Sequence, residues 1–284
     1  MRKMLITGAR GFLGARVAQY YTGRYEVIAI GHEEMDISDL ESVRRLFGQH
    51  RPDVVIHCAA ISDTGYAERH PEKSFAVNVL GTEHVAHACA EVGGKLLYMS
   101  SDQVYNGNAE SGPLPESVEP CPVSVYGRDK LEAEARVRAI DPTAVGLRLT
   151  WMYDLPDSPL KLNRNLLVNL RQAHQEGTSL RVATREYRGI TDVRAVVTRL
   201  EACLRLPGGA YNFGSENRLS SYETFILAAR LLGYETPERW ILPDAERFPE
   251  HPRNLAMDIS RIRSYGIDFP DTLEGVRRAI SPSA

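Results

Sequence analysis

The chain has 284 residues, 43% of them hydrophobic and 25% charged, with a formal net charge of −3. This is the composition of a globular protein that can bury a substantial core in one large or two intimate domains, and its charge gives no case for a nucleic-acid or anionic-membrane partner. The N-terminal apolar run is far too short for a signal peptide or membrane span, and Cys58, Cys89, Cys121 and Cys203 show no Cys-x-x-Cys spacing, which reads as reduced thiols in a cytoplasmic protein without structural zinc.

Residues 4–6 form the first predicted strand. Gly8, Gly11 and Gly14 follow in G-x-x-G-x-x-G spacing, then a helix through residue 21. Glycines at a strand-to-helix turn let the backbone approach a pyrophosphate seated on the helix N-terminus. The second strand, 26–30, ends in Gly31-His32, with no acid at the position that would bind the ribose hydroxyls of NAD; Glu33 and Glu34 come slightly late. Asp36 or Ser38 is placed to cap a helix over 40–47. A third strand, 53–57, leads into Cys58-Ala59-Ala60, small residues past which a cofactor can lie close to the backbone. His57 reads as a packed strand residue rather than a catalyst. Pro71 suits a helix start, and one long helical pattern containing Asn78 runs to Gly93-Gly94.

Residues 96–99 read as a buried strand, with Ser100, Ser101 and Asp102 at its end, where open α/β sheets bind ligands. Pro113, Pro115, Pro120 and Pro122 keep the next segment irregular. A helix from near Ser124 then carries Tyr126 and Lys130 on one face, one turn apart. A phenol is a poor acid–base group at neutral pH unless a neighbouring ammonium lowers its pKa. With Ser101 holding the same substrate oxygen, Ser101, Tyr126 and Lys130 form a set that protonates a carbonyl oxygen while a cofactor delivers hydride. The alternative for the Tyr-x-x-x-Lys pair is an ordinary helix face. Residues 144–149 form a further strand. Strand and helix thus alternate over the first 150 residues, which predicts a doubly wound, Rossmann-type parallel sheet.

After Thr150 the pattern changes. Helices are expected at 165–174, 192–206, 222–232 and 272–280, with Ser220 or Ser221 capping the third, and short strands at 180–183 and near Tyr211. The expected organisation is a nucleotide-binding domain over 1–150, with 185–213 returning to it. A smaller, discontinuous substrate domain spans 151–184 and 214–284, and the site lies in the cleft between the two.

Thr-Gly-Ala-Arg-Gly-Phe-Leu-Gly, Ser-Ser-Asp-Gln-Val-Tyr-Asn-Gly and Tyr-Gly-Arg-Asp-Lys together resemble the extended short-chain dehydrogenase/reductases, and within them the dTDP-4-dehydrorhamnose reductases. Later segments, Leu-Arg-Leu-Thr-Trp-Met-Tyr and Pro-Arg-Asn-Leu-Ala-Met-Asp, fit as well. The resemblance implies an NAD(P)H-dependent reductase of a 4-keto nucleotide sugar with catalytic Ser101, Tyr126 and Lys130. It implies cofactor contacts from Gly8, Arg10, Gly11, Phe12, Leu13, Gly14, His32, Asp36, Ile37, Cys58, Ala59, Ala60 and Asn78, and from Tyr126 and Lys130 themselves. Arg10 matches an arginine that meets a 2′-phosphate in the similar GDP-fucose synthases, so NADP(H) is favoured over NAD(H); its alternative is a solvated loop arginine. Asn78 would support the catalytic helix and a water relay, or be a structural amide. Ser101, Asp102, Gln103 and Trp151 would face the sugar, with a core tryptophan as the alternative for the last. Gln103 stands where the family has tyrosine and His251 where it has arginine, departures on the substrate side. No metal is expected, and a homodimer is one candidate assembly. The competing readings are a nucleotide-sugar epimerase or dehydratase and a non-catalytic subunit like the β subunit of methionine adenosyltransferase.

Overall fold

The structure, a computed structural model, describes residues 1–281; positions 282–284 of the expected C-terminal segment lie outside the described residues. Five strands come first: β1 (Lys3–Thr7), β2 (Glu26–Ile30), β3 (Val54–His57), β4 (Lys95–Ser101) and β5 (Val145–Leu149). There follow β6 (Trp151–Tyr153), β7 (Leu180–Ala183), β8 (Glu186–Arg188), β9 (Ile190–Asp192), β10 (Gly209–Phe213), β11 (Ile241–Asp244) and β12 (Arg253–Leu255). The main sheet has six strands in the order β10-β5-β4-β3-β1-β2. β1 pairs parallel with β2 and β3, and β3 with β4. This is the doubly wound α/β architecture expected. The chain leaves β1 to one side for β2 and to the other for β3, so the strand order switches beside β1, where such sheets open a crevice. Register aligns Thr7 with both Ile30 and His57, which brings the loops after β1, β2 and β3 to one edge of the sheet.

The helices between these strands are α1 (Phe12–Tyr21), α2 (Leu40–His50), α3 (Thr64–Arg69), α4 (Pro71–Phe75), α5 (Gly81–Val92) and α6 (Val125–Ile140). Two sequence expectations are corrected here. The cap of α2 is Asp39, which accepts the Glu41 N–H at 3.1 Å; Asp36 is already taken by the backbone and hydroxyl of Ser38. The long helix expected from Pro71 is not uniform, because Ala76–Leu80 is a π-helical turn between α4 and α5. Such a turn accommodates one extra residue and re-aims the side chains around it.

Two compact units emerge. The first comprises Met1–Val104, Pro122–Arg148 and Val197–Tyr211. Its core packs Leu5, Val43, Phe47, Val55, Val85 and Leu96 between the sheet and its helices, all fully buried. Each such side chain contributes about 1.5–3 kcal/mol. Exposed ion pairs such as Arg44–Glu91 are screened by water and add little, so the apolar layers decide stability. The second unit comprises Tyr105–Cys121, Leu149–Val196 and the chain from Asn212 onward. It holds three two-stranded parallel pairs, β6 with β9, β7 with β11 and β8 with β12. Leu166, Leu167, Leu170, Phe225, Ile241 and Val276 form its core. Asn165 caps Leu166–Glu176, and Ser220 with Glu223 forms a capping box on Ser221–Leu231.

Candidate active site

The glycine loop is a backbone cradle. Gly8 has φ +66°, and a Cβ there would meet the Ala59 backbone at 2.7 Å. A Cβ on Gly14 would meet the Gly8 carbonyl oxygen at 2.2 Å. Gly8 and Gly14 are therefore required by the fold itself, and they draw β1, α1 and the Cys58-Ala59 turn together. Gly11 is different. It is the N-cap of α1, it donates to the Gly8 oxygen at 2.8 Å, and a Cβ there would meet only that oxygen at 3.1 Å. No side chain caps α1 and no acid occupies its first turn. Its leading N–H groups, including those of Phe12 and Leu13, thus present the positive helix end an anion needs. These residues fit a dinucleotide pyrophosphate.

At the end of β2 the sequence expectation is corrected. Glu34 turns back so that its Oε2 accepts the Gly31 N–H at 2.8 Å. A carboxylate therefore does stand at this strand end, delivered by a four-residue turn that strand-end counting overlooks. Arg10 is exposed, as the loop-arginine alternative has it, and is also ion-paired. It pairs with Glu33 at 2.5 Å and with Glu34, and these carboxylates hold its guanidinium more firmly protonated. His32 follows in the same exposed turn. Asp36 sits in its Ser38 turn, which lowers its pKa. Buried Ile37 packs against Gly81 and accepts His84 Nδ1 at 2.9 Å through its carbonyl.

His57 is buried between Thr7 Oγ1 at 2.7 Å and Thr82 Oγ1 at 3.1 Å. Burial, and secondarily the Lys130 charge, push its pKa down to about 3, so it is a neutral structural imidazole. The Cys58 thiol is pushed up to about 12 by burial and is no nucleophile. Thr7 Oγ1 also accepts the Ala59 N–H at 3.2 Å, and Ala60 follows, half-buried. Asn78, in the π-turn, grips the Ile61 backbone with both ends of its amide, at 2.9 and 3.0 Å.

Ser101 ends β4, and its Oγ lies 3.2 Å from Asp102 Oδ1 and from the Gln103 N–H. Gln103 Nε2 donates to the same Asp102 oxygen at 3.2 Å. Ser124 caps α6 by accepting the Gly127 N–H at 3.1 Å. Tyr126 and Lys130 follow, 8% and 5% exposed. Ser101 lies near enough to the Tyr126 phenol to lower its pKa. Gly127 makes this approach possible, since a Cβ there would meet the Gln103 carbonyl oxygen at 2.4 Å. It is a site residue that sequence reasoning missed, though it stands inside Tyr-Gly-Arg-Asp-Lys. Trp151 belongs to the second unit, where its ring stacks on Phe225 at 6.5 Å and lies 5.4 Å from the Arg188 guanidinium.

Burial, then the Asp102 charge, raise the Tyr126 pKa well above the ordinary phenol value, and Ser101 pulls it back. Lys130 stands one helical turn away. Its Nζ donates to the Met99 carbonyl at 2.9 Å and lies 5.7 Å from the Tyr126 ring centroid. Burial pushes Lys130 itself down to about 8, against the pull of Asp129, Cys58 and Glu134. The phenol is protonated at neutral pH, as an ordinary phenol is. Among the described residues no group of three or more His, Cys, Asp or Glu side chains is arranged to hold a metal, and no helix is long and apolar enough to cross a membrane.

Comparison with known proteins gives a match to the family described as RmlD substrate binding domain over residues 1–282. A dTDP-4-dehydrorhamnose reductase of Mycobacterium tuberculosis is 37% identical over 155 residues, 53% of this chain and 50% of that protein, so the chain spans about half the length of this curated relative. The methionine adenosyltransferase 2 subunit beta of Xenopus laevis is 28% identical over 297 residues, 99% of this chain and 88% of that one. The crystal structure of a dTDP-4-dehydrorhamnose reductase from Clostridium acetobutylicum superposes with a TM-score of 0.87 at 25% identity, covering 98% of both chains.

Proposed function

The chain belongs to the RmlD substrate binding domain family, and on that premise we propose that it is an NAD(P)H-dependent reductase of a 4-keto nucleotide sugar. The observation that carries this reading is the buried Ser101–Tyr126–Lys130 set at the end of β4, in the same unit as the glycine cradle. A bound reduced nicotinamide supplies the hydride. The chain's own residues do the rest. Gly8, Gly11 and Gly14 with the α1 N-terminus seat the pyrophosphate. Ser101 Oγ holds the substrate carbonyl oxygen, and the protonated Tyr126 phenol donates to it as the carbon is reduced. Lys130, anchored on Met99, holds the ribose hydroxyls and offsets the charge left on the phenol.

Arg10 supports a preference for NADP(H), since a guanidinium matches a 2′-phosphate. Glu33 and Glu34 moderate that preference, because a phosphate must compete with them for the arginine. Asp102 and Gln103, which follow Ser101 in the first unit, are assigned to the sugar side. A non-catalytic subunit is the reading that the full-length likeness to a methionine adenosyltransferase subunit favours; the complete Ser-Tyr-Lys set weighs against it. Asp102 is followed by Gln103, which leaves no second carboxyl group for a dehydratase.

The test mixes purified protein with NADPH or NADH and 4-keto sugars carried on dTDP, UDP or GDP. Oxidation of the reduced nicotinamide with at least one of them is expected. Tight NADPH binding with no oxidation against the whole panel would turn the assignment to the non-catalytic class.

A further inference from the structure

α6 carries Tyr126 in its first turn and Glu134 about two turns further on. Glu134 seats the helix on the sheet, through Arg148 on β5 at 2.7 and 3.0 Å and through Ser100 on β4. At a rise of about 1.5 Å per residue, Tyr126 lies about 12 Å along the helix from that contact. A residual swing of about 5° about Glu134 therefore carries Tyr126 by about 1 Å. A misplacement of about 1 Å at a reacting centre costs about 10²-fold in rate. Lys130, between the two, reaches the Met99 carbonyl through a long flexible stem, which restrains such a swing weakly. The Tyr126 end of the helix needs a hold of its own.

α3 supplies one. Glu68 Oε1 accepts the backbone N–H of Val125, the first residue of α6, at 2.7 Å. That N–H is one of those an α-helix leaves without an intrahelical partner, and a carboxylate there is a charge-assisted acceptor at the positive helix end. On the other side of Tyr126, the Gly127 N–H is taken by Ser124, and Gly127 lies against the Gln103 carbonyl. Both chain neighbours of Tyr126 are thus held. α3 is itself fixed in place. Asp63 caps it by accepting the Tyr66 N–H at 2.7 Å, and Asn78 clamps Ile61 just before it by two backbone hydrogen bonds. Glu68 is exposed, so its bond adds only modestly to global stability; what it fixes is direction.

We propose that Glu68 is a positioning residue, which holds the Val125 N–H from α3 and so sets the place of the Tyr126 phenol. This rests on the reductase reading above, which gives the phenol its task.

The experiment compares Glu68→Ala, which removes the acceptor, with Glu68→Gln, which keeps an acceptor oxygen without the charge. Asp53→Ala is the control. Asp53 Oδ2 accepts the Lys3 N–H at 2.7 Å, the same exposed carboxylate-to-backbone bond, at the opposite end of the sheet from the strand ends that carry the site. Fluorine NMR of protein carrying fluorotyrosine follows Tyr126, its signal assigned by loss in Tyr126→Phe. A single turnover with saturating NADPH and a 4-keto nucleotide sugar gives the rate of hydride transfer. Glu68→Ala should shift or split the Tyr126 signal and slow transfer by about tenfold, with NADPH affinity near that of the parent. Glu68→Gln should restore both most of the way. Asp53→Ala should leave both at parental values, whatever it does to the melting temperature. A Tyr126 signal unmoved in Glu68→Ala overturns the proposal. So does a moved signal with transfer at the parental rate, or an equal slowing in Asp53→Ala. A moved signal in a protein whose parent oxidises neither NADPH nor NADH with any 4-keto nucleotide sugar contradicts the reductase reading instead, and leaves the hold of Glu68 on α6 standing.

Discussion

Arg10 shows how much a single residue's role depends on its neighbours. From the sequence it is a loop cation beside a strand end without an acid; in the structure it is clasped by Glu33 and Glu34, and Glu34 also closes the turn at Gly31. The site thus carries one positive and two negative charges where NADPH would bring further negative charge. Arg10→Ala should weaken NADPH binding about tenfold, through loss of a charge-assisted hydrogen bond, with a smaller effect on NADH. Glu33→Gln with Glu34→Gln should act in the opposite direction and strengthen NADPH binding. Titration of both cofactors into each variant decides it, and equal changes for the two would mean that Arg10 does not read the 2′ position. This reversal was not legible in the sequence, because only the turn 31–34 brings Glu34 back to the strand.

At the scale of elements, the strands β1 to β5 and the helices after them, α3 excepted, were legible, because apolar runs alternate with helical periods and glycines punctuate the turns. The β6, β8, β9, β11 and β12 strands escaped. Each is three or four residues long, too short for a period of two to register. The π-turn at Ala76–Leu80 escaped as well, since its composition is that of a helix. The glycine loop divides along the same line. All three glycines are visible as a motif, but their separate duties are not. Gly14→Val would drive a side chain into the Gly8 carbonyl and should prevent folding. Gly11→Val meets only an oxygen at 3.1 Å, so the protein should fold and lose most of its NADPH affinity. Melting curves with and without NADPH separate the two, because a ligand that binds the native state raises the melting temperature. A folded Gly11→Val protein with parental affinity would remove the pyrophosphate from this loop.

For the whole molecule, the fold brings residues from distant parts of the sequence to the helix of Tyr126 and Lys130. Ser100 next to Ser101, Glu134 on α6 and Arg148 on β5 form a buried cluster, with the guanidinium and carboxylate joined by bonds of 2.7 and 3.0 Å. It ties α6 to two strands, which fixes where Tyr126 stands; the sequence carried no signal of that pairing beyond the residue types. Tyr126, buried on α6 near Ser101, is the proposed acid. The most direct test is the rate of hydride transfer in a single turnover, compared between the parent and Tyr126→Phe. Phenylalanine keeps the ring, so folding and NADPH binding should survive while the transfer step slows by about 10²–10⁴-fold. Hydride transfer at the parental rate would contradict the account, and would leave Tyr126 an ordinary buried tyrosine of the helix.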